Sequence, residues 1–143
     1  MTTTYSFADV SCTISHPLAG SKTTSGEGIG KILVSFTDEL TGSDLAADGS
    51  VMITKIASTR GKISFEIQQT SSLNKWLLAY SNAVVNADAS AWASAAISIS
   101  ELFDGGVNTN ANEVALVKRP DRSDAQQGDK VTWDFFVGDL EVA

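Results

Sequence analysis

Alternating apolar and polar positions dominate the chain and predict a protein built mainly of β-strands. In residues 61–69, Ile63, Phe65 and Ile67 alternate with polar side chains. Residues 130–142 repeat the pattern, with apolar positions on one side and mostly polar positions on the other. Strands of this kind rest one face on a core and leave the other in water, so these segments predict a largely antiparallel sheet with one wet face.

Shorter segments of the same character predict further strands at 5–14, 31–37, 50–57, 95–103 and 113–119. A short polar stretch joins 50–57 to 61–69, and this arrangement predicts a β-hairpin. Small, polar and glycine-rich residues fill 18–30 and 38–48, which are expected to be long loops. The whole pattern predicts about seven strands.

The apolar spacing changes to that of a helix over residues 71–85. Leu73, Trp76, Leu77 and Tyr80 recur at intervals of three and four positions, which puts them on one stripe of a helix. Such a stripe predicts packing against a core and not a ligand-binding surface. Together the elements predict a mainly β fold, a β-sandwich or barrel with one flanking α-helix that covers the apolar face of the sheet.

Composition narrows the possible functions. At 143 residues the chain is expected to form one domain, 1–143, and its 43% apolar residues suffice for a core. A formal net charge of −7 argues against binding nucleic acid through released counterions, which requires clustered lysine and arginine. The single cysteine and the lack of a signal-peptide pattern indicate a protein that is made and kept in a cytoplasm, or assembles there.

The residues offer little catalytic or metal-binding chemistry. Residues 25–31 look like a phosphate-binding loop, but Ser25 stands where the first glycine belongs and Ile32 where the magnesium-binding hydroxyl belongs. One histidine, His16, and one cysteine, Cys12, cannot form a zinc site unless carboxylates complete it. We therefore predict a protein that is not an enzyme and that uses neither a cofactor nor a metal.

Three blocks of sequence resemble bacteriophage tail tube proteins, a family found mainly in contractile-tailed phages. They are residues 2–17, 47–79 and 114–140, which keep the family order and cover more than half of the chain. The middle block is the most specific, because it joins an Asp-Gly turn, a hairpin, a Thr-Ser pair and a short amphipathic helix. One departure is His16-Pro17, where the first strand of such proteins tends to end in Gly-Pro.

The resemblance implies a tail-tube-type β-sandwich or barrel with one flanking helix. Six copies would form a ring in which the sheets join into one continuous barrel, and rings would stack around a channel for DNA during infection. The implied partners are further copies of the chain, the tail sheath protein, baseplate and tail terminator proteins, and a tape measure protein in the lumen, with DNA only in transit. The implied location is the phage tail of the virion, assembled in the bacterial cytoplasm.

The resemblance also implies roles for particular residues. The two long loops would reach the adjacent ring, and the candidate contact residues are Ser25, Gly26, Glu27, Gly28, Ile29, Gly30, Leu40 and Asp44. The wet face of the sheet would line the channel, and its candidates are Ser64, Glu66, Gln68, Thr132 and Asp134. A neutral or acidic wall would let DNA slide, because it would not hold the phosphates.

Two other functions stay open at this point. One alternative is the tube subunit of a phage-like contractile injection device that carries no DNA. A monomeric β-sandwich binding module, for example one that binds carbohydrate, would display exposed aromatic side chains, and Trp92 is the candidate.

Overall fold

The computed structural model describes residues 2–25, 28–122 and 124–143. Within them lie nine β-strands and one α-helix, with short 3-10 helices at Phe7–Asp9 and Ala89–Ala91. The strands are β1 (Val10–His16), β2 (Gly20–Thr24), β3 (Ile29–Phe36), β4 (Thr41–Leu45), β5 (Val51–Lys55), β6 (Gly61–Gln68), β7 (Ala95–Glu101), β8 (Asn108–Lys118) and β9 (Lys130–Val142), and the helix is α1 (Ser72–Val85).

Seven strands form one antiparallel sheet in the order β2-β1-β7-β8-β9-β6-β3, which curls into a half-barrel. Burial alternates along its central strands, and Ile63, Phe65 and Ile67 of β6 are fully buried. On β9 the apolar positions from Val131 to Val137 are buried in the same alternating way. The mainly β fold with one helix that the sequence predicted is confirmed.

The helix packs on the apolar face of the sheet. Ser71 caps its first turn, because the Ser71 hydroxyl accepts a hydrogen bond from the Leu73 amide at 3.2 Å. Leu73, Leu77 and Tyr80 are fully buried, and Trp76 packs partly buried against the core. Among the described residues, no helix combines the length and the apolar character needed to cross a bilayer.

Buried hydrogen bonds fix the position of the helix on the sheet. The Trp133 indole Nε1 donates to Asn74 Oδ1 at 3.0 Å, and Asn74 Nδ2 donates to the Gln69 carbonyl at 3.2 Å. On the other side, His16 Nδ1 accepts from the Leu18 amide at 3.0 Å while Nε2 lies 2.8 Å from the Ala91 carbonyl. A neutral imidazole with its proton on Nε2 satisfies both contacts. His16 therefore connects the end of β1 to the segments that contain Leu18 and Ala91.

Three expectations, two about loops and one about a hairpin, need correction. Segment 18–30 contains β2, which pairs with β1, and segment 38–48 contains β4. The expected hairpin between 50–57 and 61–69 does not form, because β5 pairs with β4 instead. Both edges of β6 are occupied by β3 and β9, so no edge is free to receive β5.

Candidate functional site

One face of the sheet carries polar side chains that are in register across neighbouring strands. The five residues expected to line a channel all lie on this face of β6 and β9: Ser64, Glu66, Gln68, Thr132 and Asp134. The Ser64 hydroxyl donates to Asp134 Oδ1 at 2.5 Å, and Lys130 Nζ lies 3.5 Å from Glu66 Oε1. The sheet therefore brings these candidates together into one continuous polar surface, here called the wet face.

The wet face is nearly neutral. Strands β3, β6, β8 and β9 carry four lysines and five carboxylates, and none of these nine side chains is buried, so their formal charge is +4 − 5 = −1. They are Lys31, Lys62, Lys118, Lys130, Glu66, Glu113, Asp134, Asp139 and Glu141. Of the chain's formal −7, a charge of −7 − (−1) = −6 lies elsewhere. The acidity of the protein is thus not concentrated on this face.

A β-hairpin projects from one end of the sheet. It consists of β4 and β5 with the segments that connect them to β3 and β6, residues 37–60, and is here called the arm. Every residue of its two strands is exposed except Gly42, which is partly exposed. One side of the arm presents Leu45, Val51 and Ile53, which are 71%, 61% and 73% exposed. Exposed apolar side chains grouped in this way mark an interaction surface.

The opposite side of the arm is also partly apolar. It presents Leu40, Met52 and Ile56, which are exposed as well, together with Asp44. Because successive side chains of a strand point to opposite faces, the arm has two separate faces that carry exposed apolar side chains. Sequence reasoning missed the arm, since β4 has the sequence Thr-Gly-Ser-Asp-Leu and carries only one large apolar residue, Leu45.

A cluster of polar side chains locks the root of the arm. The Asp38 carboxylate accepts hydrogen bonds from Ser58 Oγ at 2.6 Å, from Arg60 Nη2 at 2.8 Å and from Arg60 Nε. The Thr37 amide also donates to the Arg60 carbonyl at 3.2 Å. Bidentate pairing of a carboxylate with arginine fixes orientation, so this clamp sets the direction in which the arm leaves the sheet.

We expect the clamp to open in acid. The hydrogen bonds from Arg60, and then from Ser58, lower the pKa of Asp38 from 3.8 to about 2. A folded-state pKa below the unfolded value stabilises the fold above the unfolded pKa, and this contribution is lost as pH falls from 3.8 towards 2. The carboxyl-carbon chemical shift of Asp38 should titrate near pH 2. In Arg60→Ala it should move towards the ordinary aspartate value, and an unchanged midpoint would show that Arg60 does not hold the carboxylate.

Most of the residues expected to contact an adjacent ring form two groups at opposite ends of β3. Gly28, Ile29 and Gly30 are at its start, whereas Leu40 and Asp44 belong to the arm that follows its end; Ser25 directly follows the end of β2. Gly26 and Glu27 lie outside the described residues. At about 3.3 Å per residue, the eight residues of β3 separate the two groups by about 26 Å.

Two residues at the start of β3 have structural roles. Ile29 is only 8% exposed and belongs to the core, so its side chain is not available for contact with another copy. Gly28 has a φ of +70°, and a Cβ at this position would come within 2.7 Å of the Ser71 hydroxyl that caps α1. Both constraints require glycine at position 28.

The chain matches known tail proteins in sequence and in fold. The family model for the bacteriophage PhiTE tail tube protein matches residues 1–143. None of the curated proteins compared with the chain matches it. A chain of the anti-feeding prophage baseplate, from a six-fold symmetrised cryo-EM structure, has a similar fold with a TM-score of 0.63 and 12% identity, covering 100% of this chain and 97% of that one.

A second solved structure has the same fold. It is a chain of the sheath–tube complex of an extracellular contractile injection system, PVC, in the extended state. The TM-score is 0.57 at 11% identity, and the match covers 95% of this chain and 88% of that one. With the family match over the whole chain, these findings show that the chain belongs to the bacteriophage tail tube proteins of the PhiTE type, a family of structural tail components.

Proposed function

We propose that six copies of this chain form a ring, and that rings stack into a tube around a channel through which DNA passes during infection. The observation that carries the proposal is a sheet that curls into only half of a barrel and leaves β2 and β3 as its edge strands. On β3, Ile32 and Val34 are only partly buried and Phe36 is 57% exposed. An edge strand with incompletely covered side chains favours pairing with another chain, and closure into a barrel removes such edges.

The two ends of the sheet support head-to-tail stacking. A contact between different surfaces of identical subunits repeats along an axis, and opposite ends then meet. The arm with Leu40 and Asp44 would approach the Gly28–Gly30 end of a copy in the next ring. The distance of about 26 Å between these groups in one copy suits a contact between rings, because each group would serve a different neighbour.

The wet face supports the proposal of a channel for DNA. Its formal charge of −1 per copy would give 6 × −1 = −6 per ring of six. Only charges within a screening length of about 8 Å act on DNA at physiological salt, so the wall matters more than the whole chain. On this wall, Glu66 pairs with Lys130 and partly neutralises its ammonium. The pairing weakens the attraction of Lys130 for phosphate.

The partners proposed for the tube are those of a contractile tail. The sheath protein, the baseplate, the tail terminator and a tape measure protein in the lumen are proposed from the family. The fold matches to a baseplate and a sheath–tube complex support the first two. We further propose that the protein is part of the virion and is assembled in the bacterial cytoplasm.

A DNA-free contractile injection device is a second candidate function. Both solved structures described above belong to contractile injection particles, an anti-feeding prophage and PVC. Genome context separates the two functions, since neighbouring capsid and terminase genes would favour a phage and their absence an injection device. Either function uses the same tube.

Electron microscopy of the purified protein at high concentration tests the tube. We expect long hollow tubes with six-fold end views. Phe36→Lys, which places a charge on the incompletely covered apolar side of the edge strand β3, should keep the circular dichroism of the parent and form no tubes. Leu78→Lys, which places a lysine at an exposed apolar position of α1, is the control and should polymerise. Dispersed monomers of the parent protein would instead favour a binding module.

A further inference from the structure

We propose that the Leu45, Val51 and Ile53 side of the arm docks into an apolar cleft of the copy beside it in the same ring. This inference rests on the proposed tube function and adds a second, lateral contact to the stacking contact. The cleft lies at the open mouth of the half-barrel and has a volume of about 470 Å³.

The cleft is apolar and open. Its walls include Tyr5, Phe36, Val107 and Val142, whose side chains are 62%, 57%, 42% and 41% exposed. Its volume lies within the range of about 300–1,000 Å³ of pockets that bury compact apolar ligands. The three aliphatic side chains of the arm form a group of that kind. Within the described residues, nothing covers the exposed apolar walls of the cleft.

The arm complements the cleft in shape, polarity and charge. The arm is a protruding hairpin. Its Leu45 side groups Leu45, Val51 and Ile53 beside the small polar residues of β4, and Lys55 is the one charged residue of β4 and β5 on that side. The cleft lining contains one charged residue, Glu101. An apolar group beside a lysine would therefore meet an apolar cleft beside a glutamate, and opposite charges at the border of a contact favour one register.

The position of the arm indicates that the cleft belongs to another copy. Phe36 lines the cleft and directly precedes the arm, so a copy's own cleft lies at the root of its arm. The clamp of Asp38 with Ser58 and Arg60 holds that root, and the Leu45 side stays exposed in the single chain. The arm is thus fixed in a direction that leaves its apolar side for a neighbour.

The same geometry distinguishes a lateral neighbour from a stacked one. The cleft is formed by the end of β3, the start of β1 and the end of β9, which is the end of the sheet that carries the arm. Head-to-tail stacking brings opposite ends together, so an arm reaches a cleft only in a copy at the same level. The other side of the arm, with Leu40 and Asp44, stays available for the next ring.

Cross-linking between two singly substituted proteins tests this contact. Ile53→Cys and Val107→Cys proteins are mixed, assembled and treated with a short bismaleimide. The native Cys12 should not react, because it is 1% exposed and burial raises the pKa of its thiol to about 12. We expect a covalent heterodimer at several-fold higher yield than with the control pair Met52→Cys and Val107→Cys, whose arm cysteine lies on the opposite side.

The outcomes separate this inference from the proposed function. Tubes that form with no Ile53→Cys to Val107→Cys product, or with equal yields from both pairs, would overturn the lateral contact and leave the tube intact. If the parent protein forms neither rings nor tubes, both the lateral contact and the proposed tube function are contradicted. As a second measurement, Lys55→Glu should slow assembly about tenfold, and adding Glu101→Lys should restore most of the rate; no rescue by the swapped pair would contradict the proposed register.

Discussion

Replacing Phe135 with alanine should lower the free energy of unfolding by about 3–5 kcal/mol, the usual cost of emptying a buried aromatic site. Phe135 is fully buried on β9. Its ring lies 5.8 Å from that of Phe65 in an edge-to-face contact and 6.3 Å from that of Tyr80. The side chain thus joins β9 to β6 and to the helix, and its loss leaves a cavity between all three. Urea unfolding followed by circular dichroism measures the change.

The neighbouring phenylalanine is a matched control. Phe136 occupies the next position on β9 and points to the wet face, where it is partly exposed. Phe136→Ala deletes the same atoms but opens no enclosed cavity, so we expect a much smaller loss of about 1 kcal/mol or less. Equal losses at the two positions would mean that the alternation of β9 does not separate core from solvent.

The parts of the fold that depend on local pattern were predictable. The alternation of Ile63, Phe65 and Ile67 determines which side of β6 faces the core, and the stripe from Leu73 to Tyr80 determines which side of α1 does. Each follows from the periodicity of a single element and needs no knowledge of its partners. The polar wet face followed from the same reasoning, since it is the other half of the alternation.

The arm was not predictable, for physical reasons. A prediction from single strands cannot tell which edge a strand will join, and β5 joined β4 because β6 was already paired on both sides. Strand β4 gives no apolar signal of its own, as Thr41, Gly42 and Ser43 are small. The Asp38–Arg60 clamp joins residues 22 positions apart and depends on the hairpin being present first. The resemblance to tail tube proteins identified the family, and no pattern of charge or spacing would have done so.

In the proposed tube, reversing two charges on the wet face should turn a wall that lets DNA slide into one that holds DNA. Glu66→Lys with Asp134→Lys changes the formal charge of β3, β6, β8 and β9 from −1 to −1 + 4 = +3 per copy, or 6 × 3 = +18 in a ring of six. The change also frees Lys130 from its partner Glu66. We expect tubes assembled with short duplex DNA to retain it and to protect it from nuclease. If the wall makes six to ten phosphate contacts, raising the salt from about 50 to 200 mM should lower the affinity for DNA about 10³–10⁵-fold.

A control with the same charge change separates the channel from the outside. Asp88→Lys with Asp104→Lys alters two exposed aspartates in loops outside the sheet. DNA attracted to such positions would lie on the surface, where nuclease reaches it, so binding without protection is expected. Protection by the loop variant, or none by the sheet variant, would place the wet face somewhere other than the channel wall. Protection by the sheet variant alone requires that its side chains enclose the DNA, because charge by itself is equal in the two proteins.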